Sequence, residues 1–228
     1  MLRSLFIVFI FISQISAFES TNVQLLYGKN FTGDSFIYDT IDGKKTTLTF
    51  EHFRTFEYGD FFMFVDYMDG EKFDKTKYEV YSELSPRLSL SKLSNNDLSL
   101  GFIQDFYLAT QINIGYDYLA YLGGLGCDLT IPGLNVFALN AYYKSENIGE
   151  IQNETYQLTA VYHTKSLYNL HFEGFLDLTE YSINTQNQLL YNLYKDFFVG
   201  TEWLYYHYNK GTISTDTNSF QAMLKYKF

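Results

Sequence analysis

Hydrophobic and polar residues alternate along most of this chain with period two, not the three-to-four spacing of a helix. Ser219 to Phe228 puts Phe220, Ala222, Leu224, Tyr226 and Phe228 on one face and Ser219, Gln221, Met223, Lys225 and Lys227 on the other. Leu167 to Thr179 repeats the pattern, with Tyr168, Leu170, Phe172, Gly174, Leu176 and Leu178 against Asn169, His171, Glu173, Phe175, Asp177 and Thr179. Strict alternation predicts strands, and these are longer than the five or six residues common in soluble sheets. Carried along the chain, the pattern predicts twelve strands, over 21–28, 46–57, 60–68, 77–91, 97–110, 115–128, 135–145, 154–164, 167–179, 186–194, 197–209 and 217–228. A tilted membrane-crossing strand needs about 9–11 residues.

The connections narrow the architecture. Tight turns at Tyr58-Gly59, Lys165-Ser166 and Lys195-Asp196, with slightly longer ones at Ser94 to Asn96 and Pro132-Gly133, alternate with longer polar stretches. Those are Lys29 to Lys45, Asp69 to Thr76, Glu146 to Asn153 and Lys210 to Asp216; Gln111 to Ile114 is the short exception. Short turns at one end and long loops at the other are the asymmetry of an outer-membrane barrel. The expected fold is therefore all-β: a transmembrane antiparallel up-and-down β-barrel of 12 strands with both termini periplasmic. A secreted β-sandwich would also alternate, but with shorter strands. The final Phe228, with Tyr226 and Leu224 on its face, resembles the C-terminal signature of outer-membrane proteins.

Composition adds three constraints. Of 228 residues, 22 are Phe, 22 Tyr and one Trp, which is far too aromatic for a disordered chain. A net charge of −10 argues against a nucleic-acid partner, and a single Cys excludes an internal disulfide framework. Residues 1–17 read as a signal peptide, with Arg3 ahead of the apolar run Leu5 to Ile12 and the small Ala17 before Phe18. That run is shorter than the about 20 residues of a membrane helix. Residues 18–228 are then the barrel, in contact with outer-membrane lipid, in the cell outer membrane of a Gram-negative bacterium.

In such a barrel the continuous apolar face meets lipid and the interrupted face meets water. The phase that sends Asp60 and Asp66 inward carries Phe62 and Phe64 with them. Glu79, Tyr81, Glu83, Ser85, Arg87 and Ser89 follow, then Asp105 and Tyr107, then Glu173, Phe175 and Asp177, and Glu202. Glu51 and Phe53 inward leave His52 and Arg54 outward, so a bulge is expected in the second strand. The expected pore-lining residues are Phe53, Asp60, Phe62, Phe64, Asp66, Tyr81, Glu83, Arg87, Asp105, Tyr107, Glu173 and Phe175. Aromatic faces beside carboxylates suit a neutral, flat, hydroxylated solute: bases stack on rings and carboxylates accept from sugar hydroxyls.

Val23 to Gly28, Thr49 to His52, Tyr58 to Asp66 (YGDFFMFVD) and Ser85 to Ser89 (SPRLS) resemble the nucleoside-specific channel-forming (Tsx-like) family. The resemblance is dense over about 21–93 and departs at Phe56, where relatives often carry Trp. It implies a monomeric twelve-stranded outer-membrane barrel admitting nucleosides through a narrow, aromatic-lined pore, with Phe53, Asp60, Phe62, Phe64, Asp66, Glu83 and Arg87 carried over as pore-lining positions. Relatives on this fold also include surface antigens and phage receptors. The alternative is thus a surface-structural or adhesin-like barrel acting through its external loops.

Other chemistry finds little support. Gly123 to Gly126 precedes no helix, so it is not a phosphate loop; relief of crowding inside the barrel, or a bend, is expected. His52, His163, His171 and His207 lack metal-ligand spacing, and His163 is expected to oppose Tyr168. Ser82 beside Glu83, or Ser166 near His163, would be nucleophile candidates by proximity alone, without a Gly-x-Ser-x-Gly elbow. No enzyme, metal or cofactor is expected, because passive transport needs none.

Overall fold

The computed structural model describes residues 18–32, 39–71 and 78–228. The signal segment 1–17 lies outside the described residues, as do 33–38 and 72–77 within two of the connections. The strands are β1 (Glu19–Lys29), β2 (Lys44–Phe56), β3 (Gly59–Asp69), β4 (Tyr78–Ser89), β5 (Ile103–Gly115), β6 (Tyr118–Leu129), β7 (Leu134–Ile148), β8 (Ile151–Thr164), β9 (Leu170–Leu178), β10 (Ser182–Tyr194), β11 (Phe197–Lys210) and β12 (Ile213–Lys227). Each pairs antiparallel with its sequence neighbours, and β1 pairs with β12, so the sheet closes with no edge through its waist. Closure pairs each strand on both sides, a condition for a sheet in lipid.

The two faces follow the alternation. Outward side chains such as Leu25, Leu48, Leu84, Leu108, Leu158 and Leu224 are exposed, and paired aromatics mark the rims of this apolar belt. Tyr67 stacks on Tyr78 with centroids 5.7 Å apart, Trp203 on Phe220 at 6.4 Å, and at the terminal end, where β1 begins and β12 finishes, Tyr226 meets Phe228 edge-on at 5.1 Å. Inward side chains, among them Gln24, Thr49, Asn140, Gln157, Gln221 and Lys225, are polar and buried. Such an interior is the reverse of a water-soluble barrel.

Several connections differ from the sequence expectation. The strands run on through 146–153 and 210–216, leaving two-residue turns at Gly149 and Glu150 and at Gly211 and Thr212. Glu146, Asn153 and Thr215, which look like loop residues, are buried inward-facing strand positions. For the same reason the β5–β6 turn lies at Tyr116 and Asp117 and not at Gln111 to Ile114: Gln111 and Asn113 face inward and bond to each other at 2.9 Å. At the opposite end the β4–β5 connection is longer than expected. It holds the short helix α1 (Leu90–Ser94), whose Ser89 cap accepts from the Lys92 N–H at 3.0 Å. A reverse turn then joins Leu100 and Ile103 before β5 begins. Long and short connections therefore occur at both ends, and the end-to-end asymmetry is weaker than the sequence implies.

The bulge expected in β2 is absent: its registers with β1 and β3 are continuous. His52 and Arg54 do face outward, close to the terminal rim. There His52 Nδ1 lies 2.8 Å from Thr21 Oγ1 and its ring 5.4 Å from Phe61.

Candidate functional site: the barrel lumen

Strand register places eleven of the twelve expected residues on the inner wall with their groups available to the lumen or to one another. Phe53 opposes Phe62, Thr49 opposes Asp66, and across the next ladder Asp60 opposes Arg87, Phe64 opposes Glu83 and Asp66 opposes Tyr81. Tyr107 opposes Ser89, while Glu173 and Phe175 oppose Gln188 and Gln186. The twelfth, Asp105, sits beside a register shift in β5. Its carboxylate accepts from the Ser89 hydroxyl at 2.5 Å and the Ser91 hydroxyl at 2.6 Å. That fixes α1 to the wall, so its charge is occupied there.

One half of the wall carries an aromatic ladder. Ring centroids step from Phe62 to Phe64 (6.0 Å), from Phe64 to Tyr81 (5.8 Å) and from Tyr81 to Tyr118 (6.2 Å). Carboxylates accompany it. Asp66 accepts from Thr49 at 2.5 Å, and Glu83 accepts from the Tyr81 hydroxyl at 2.5 Å and from Gln111 at 2.9 Å. Glu146 accepts from Tyr118 at 3.2 Å. Near the terminal end Arg87 holds Asp60 through two bonds of 2.9 and 2.8 Å and Asp128 through two of 2.8 and 3.3 Å, with its guanidinium 4.2 Å from the centre of the Tyr107 ring.

The other half is filled. Leu26, Leu190, Phe198 and Met223 form an apolar layer inside the barrel. Above it Gln188 donates to Gln24 and to Glu202, both at 2.9 Å, and Gln221 donates to Glu202 at 2.8 Å. Lys225, almost fully buried, bonds to Glu173 and lies 3.9 Å from Glu51. Gln24 with Gln188, and Glu173 with Lys225, join strands that are not neighbours in the sheet. These chords cross the bore from β9 and β10 to β12 and β1 and fill that side of it, while the inward residues of β3 and β4 stay partly exposed.

Several smaller expectations are revised. His163 opposes Glu173, 3.2 Å from its carboxylate, and its ring centre is 6.2 Å from His171. The connection there spans 165–169, too long for the tight turn that would have set His163 against Tyr168. Ser82 pairs with Val65 on the outer face while Glu83 points inward, so those two cannot act together. Gly124 does relieve crowding: a Cβ there would lie 1.9 Å from the Ala141 carbonyl oxygen. Sequence reasoning passed over Phe31, Lys45, Tyr118, Tyr142, Lys144, Tyr181, Tyr206 and Tyr208. The alternation Ala138, Asn140, Tyr142, Lys144 within the expected strand 135–145 carries the signal for two of these.

The sequence profile of the nucleoside-specific channel-forming protein Tsx matches residues 42–228 of this chain. The match reaches the last residue, well beyond the segment in which the motifs are dense. Outer membrane protein OmpK of Vibrio parahaemolyticus is 30% identical over 92 residues, covering 40% of this chain and 34% of that protein. The chain thus spans about a third of the length of this curated relative. Among solved structures, the KdgM porin is similar in fold, with a TM-score of 0.53 and 13% identity over 91% of this chain and 99% of that one. KdgM in complex with disordered oligogalacturonate gives 0.52 at the same identity and coverage. A closed antiparallel barrel of twelve strands, apolar outside and polar within, matched by that profile over most of its length, belongs to the Tsx family of channel-forming proteins of the Gram-negative outer membrane.

Proposed function

We propose that this channel passes nucleosides, or similarly small neutral solutes, passively along the wall that carries Phe53, Asp60, Phe62, Phe64, Asp66, Tyr81, Glu83, Arg87 and Tyr107, with Glu173 and Phe175 facing them. The observation that carries this reading is the ladder Phe62, Phe64, Tyr81, Tyr118 with carboxylates beside it. A base stacked on an aromatic ring gains about 1–3 kcal/mol in other sites, and successive rings let it step along the wall without a deep trap. Glu83 and Asp66 offer acceptors to ribose hydroxyls. Their acceptor oxygens disfavour the oxygens of a phosphate, so a nucleoside enters where a nucleotide is held back. An acidic oligosaccharide, present with one of the structurally similar porins, suits this acid-bearing wall less well. The chain acts as a monomer with both termini on the periplasmic side, and the mature protein begins at Phe18.

Liposome swelling tests the selectivity. Nucleosides should enter faster than sugars of matched size, and Phe62→Ala with Phe64→Ala should remove the saturable component while the barrel still assembles. Equal entry of nucleosides and sugars into the parent liposomes would refute the claimed preference. A barrel with no conductance in planar bilayers would favour the surface-acting reading instead.

A further inference from the structure

The described start of the first connection places Phe31 inside the barrel. Phe31, two residues past β1, is completely buried and packs with Leu204, Tyr206 and Tyr208 from the inner face of β11 and with Tyr181 from the β9–β10 turn. The Lys45 ammonium lies 4.1 Å from the centre of its ring. Gly28 makes room for it: a Cβ at that position would lie 2.8 Å from the Phe31 ring. The returning chain is tied down as well. The Thr40 N–H donates to the Phe31 carbonyl at 2.9 Å, the Phe31 N–H to that of Gly43 at 3.1 Å, and the Thr217 hydroxyl to Asp39 at 3.0 Å.

From Phe31 the contacts continue around the lumen. The Tyr181 hydroxyl donates to Glu146 on β7 at 2.7 Å, Lys210 donates to Asn153 on β8 at 2.7 Å, and Glu146 also holds Tyr118 on β6. This layer therefore spans from β2 through β11 to β6 and β7. The arc it leaves is the wall of β3 to β5, which carries Phe64, Tyr81 and Glu83.

We infer that Phe31 is the bore-setting residue of the channel: with Tyr181 and the tyrosines of β11 it forms a fixed diaphragm at the end opposite the termini, and confines solutes to the aromatic ladder. A ring held by this many partners acts as a wall and not as a mobile gate, so it sets a size limit for any solute. The inference rests on the channel role of the barrel but not on preference for nucleosides.

Single-channel recording in potassium chloride, together with swelling by mono-, di- and trisaccharides, tests it on the full chain. Phe31→Ala should raise conductance by about twofold or more, since pore bore controls flux, and should admit sugars that the parent excludes. Unchanged conductance with an unchanged size limit would overturn the inference. A cross-link decides the matter if Phe31→Ala fails to assemble. Asp39→Cys with Thr217→Cys in a Cys127→Ser background should be bridged by a short bifunctional thiol reagent, because the native side chains touch at 3.0 Å, and should leave conductance as it was. A bond that fails to form, or one that lowers conductance, would show that the conducting channel has this segment elsewhere. Loss of nucleoside preference would appear separately, as equal entry of nucleosides and sugars in parent and variants alike.

Discussion

Arg87→Met should be the most damaging single change in the lumen, and its size can be worked out from the contacts. Arg87 lies between two carboxylates, bound bidentately to Asp60 and through a 2.8 Å bond to Asp128, with side-chain exposures of 12% for Arg87, 8% for Asp60 and 25% for Asp128. At an effective dielectric of about 20, a unit charge pair 4 Å apart is worth about 4 kcal/mol, most of it cancelled by the cost of desolvating both ions. Removing only the cation leaves that desolvation uncompensated and sets two like charges together, a change that typically costs about 3–5 kcal/mol. Asp60 should dominate because it is the more enclosed. Removing all three charges in Arg87→Met, Asp60→Asn, Asp128→Asn should restore stability to within about 1–2 kcal/mol of the parent, because no ion is then stranded. Trp203 is the single tryptophan and stands on the outer face against Phe220, so its emission reports loss of lipid contact during urea unfolding from liposomes. The reasoning fails if Arg87→Met unfolds within about 1 kcal/mol of the parent, or if the triple variant is no more stable than the single one.

Three further outcomes follow from the same geometry. Gly123 and Gly124 are adjacent but differ: a Cβ on Gly123 meets nothing within 4 Å, whereas one on Gly124 meets the Ala141 backbone. Gly123→Ala should thus be neutral and Gly124→Ala destabilising by about 1–3 kcal/mol, read from the same urea midpoints. Lys225→Met strips the buried cation from Glu173 and Glu51, so the zero-current potential across a potassium chloride gradient should move toward cation preference; an unchanged potential would place the ion path elsewhere. Trp203 emission should be quenched by lipids brominated on their acyl chains and insensitive to iodide in the aqueous phase, and the opposite result would invert the assignment of faces.

Much of the barrel is legible in the chain itself. On β3, Phe61, Met63, Val65 and Tyr67 separate from Asp60, Phe62, Phe64 and Asp66 by alternation alone, and the structure keeps that separation. The same holds for Ser219 to Phe228 on β12. Each residue meets one environment, lipid or lumen, and a pleated strand reverses direction at every step, so local order is enough to sort faces and count strands. Boundaries were harder because a lumen-facing Asn or Glu looks like a loop residue. Glu146 and Asn153 prolong β7 and β8, and nothing in their own chemistry distinguishes a wet interior from a wet exterior.

Tertiary structure alone decides which inward residues meet. Gln24 finds Gln188 and Glu173 finds Lys225 across the bore, and those pairings depend on closure of the sheet and on strand tilt, neither of which leaves a trace in local periodicity. It likewise decides that Phe31, one aromatic among 45 by composition, is buried inside the lumen instead of anchoring in lipid. Hydrophobicity says that a ring avoids water, but only the path of the connection says which water-excluding surface it reaches. The sequence thus determines the wall and its two faces, while the three-dimensional closure decides the shape of the passage within.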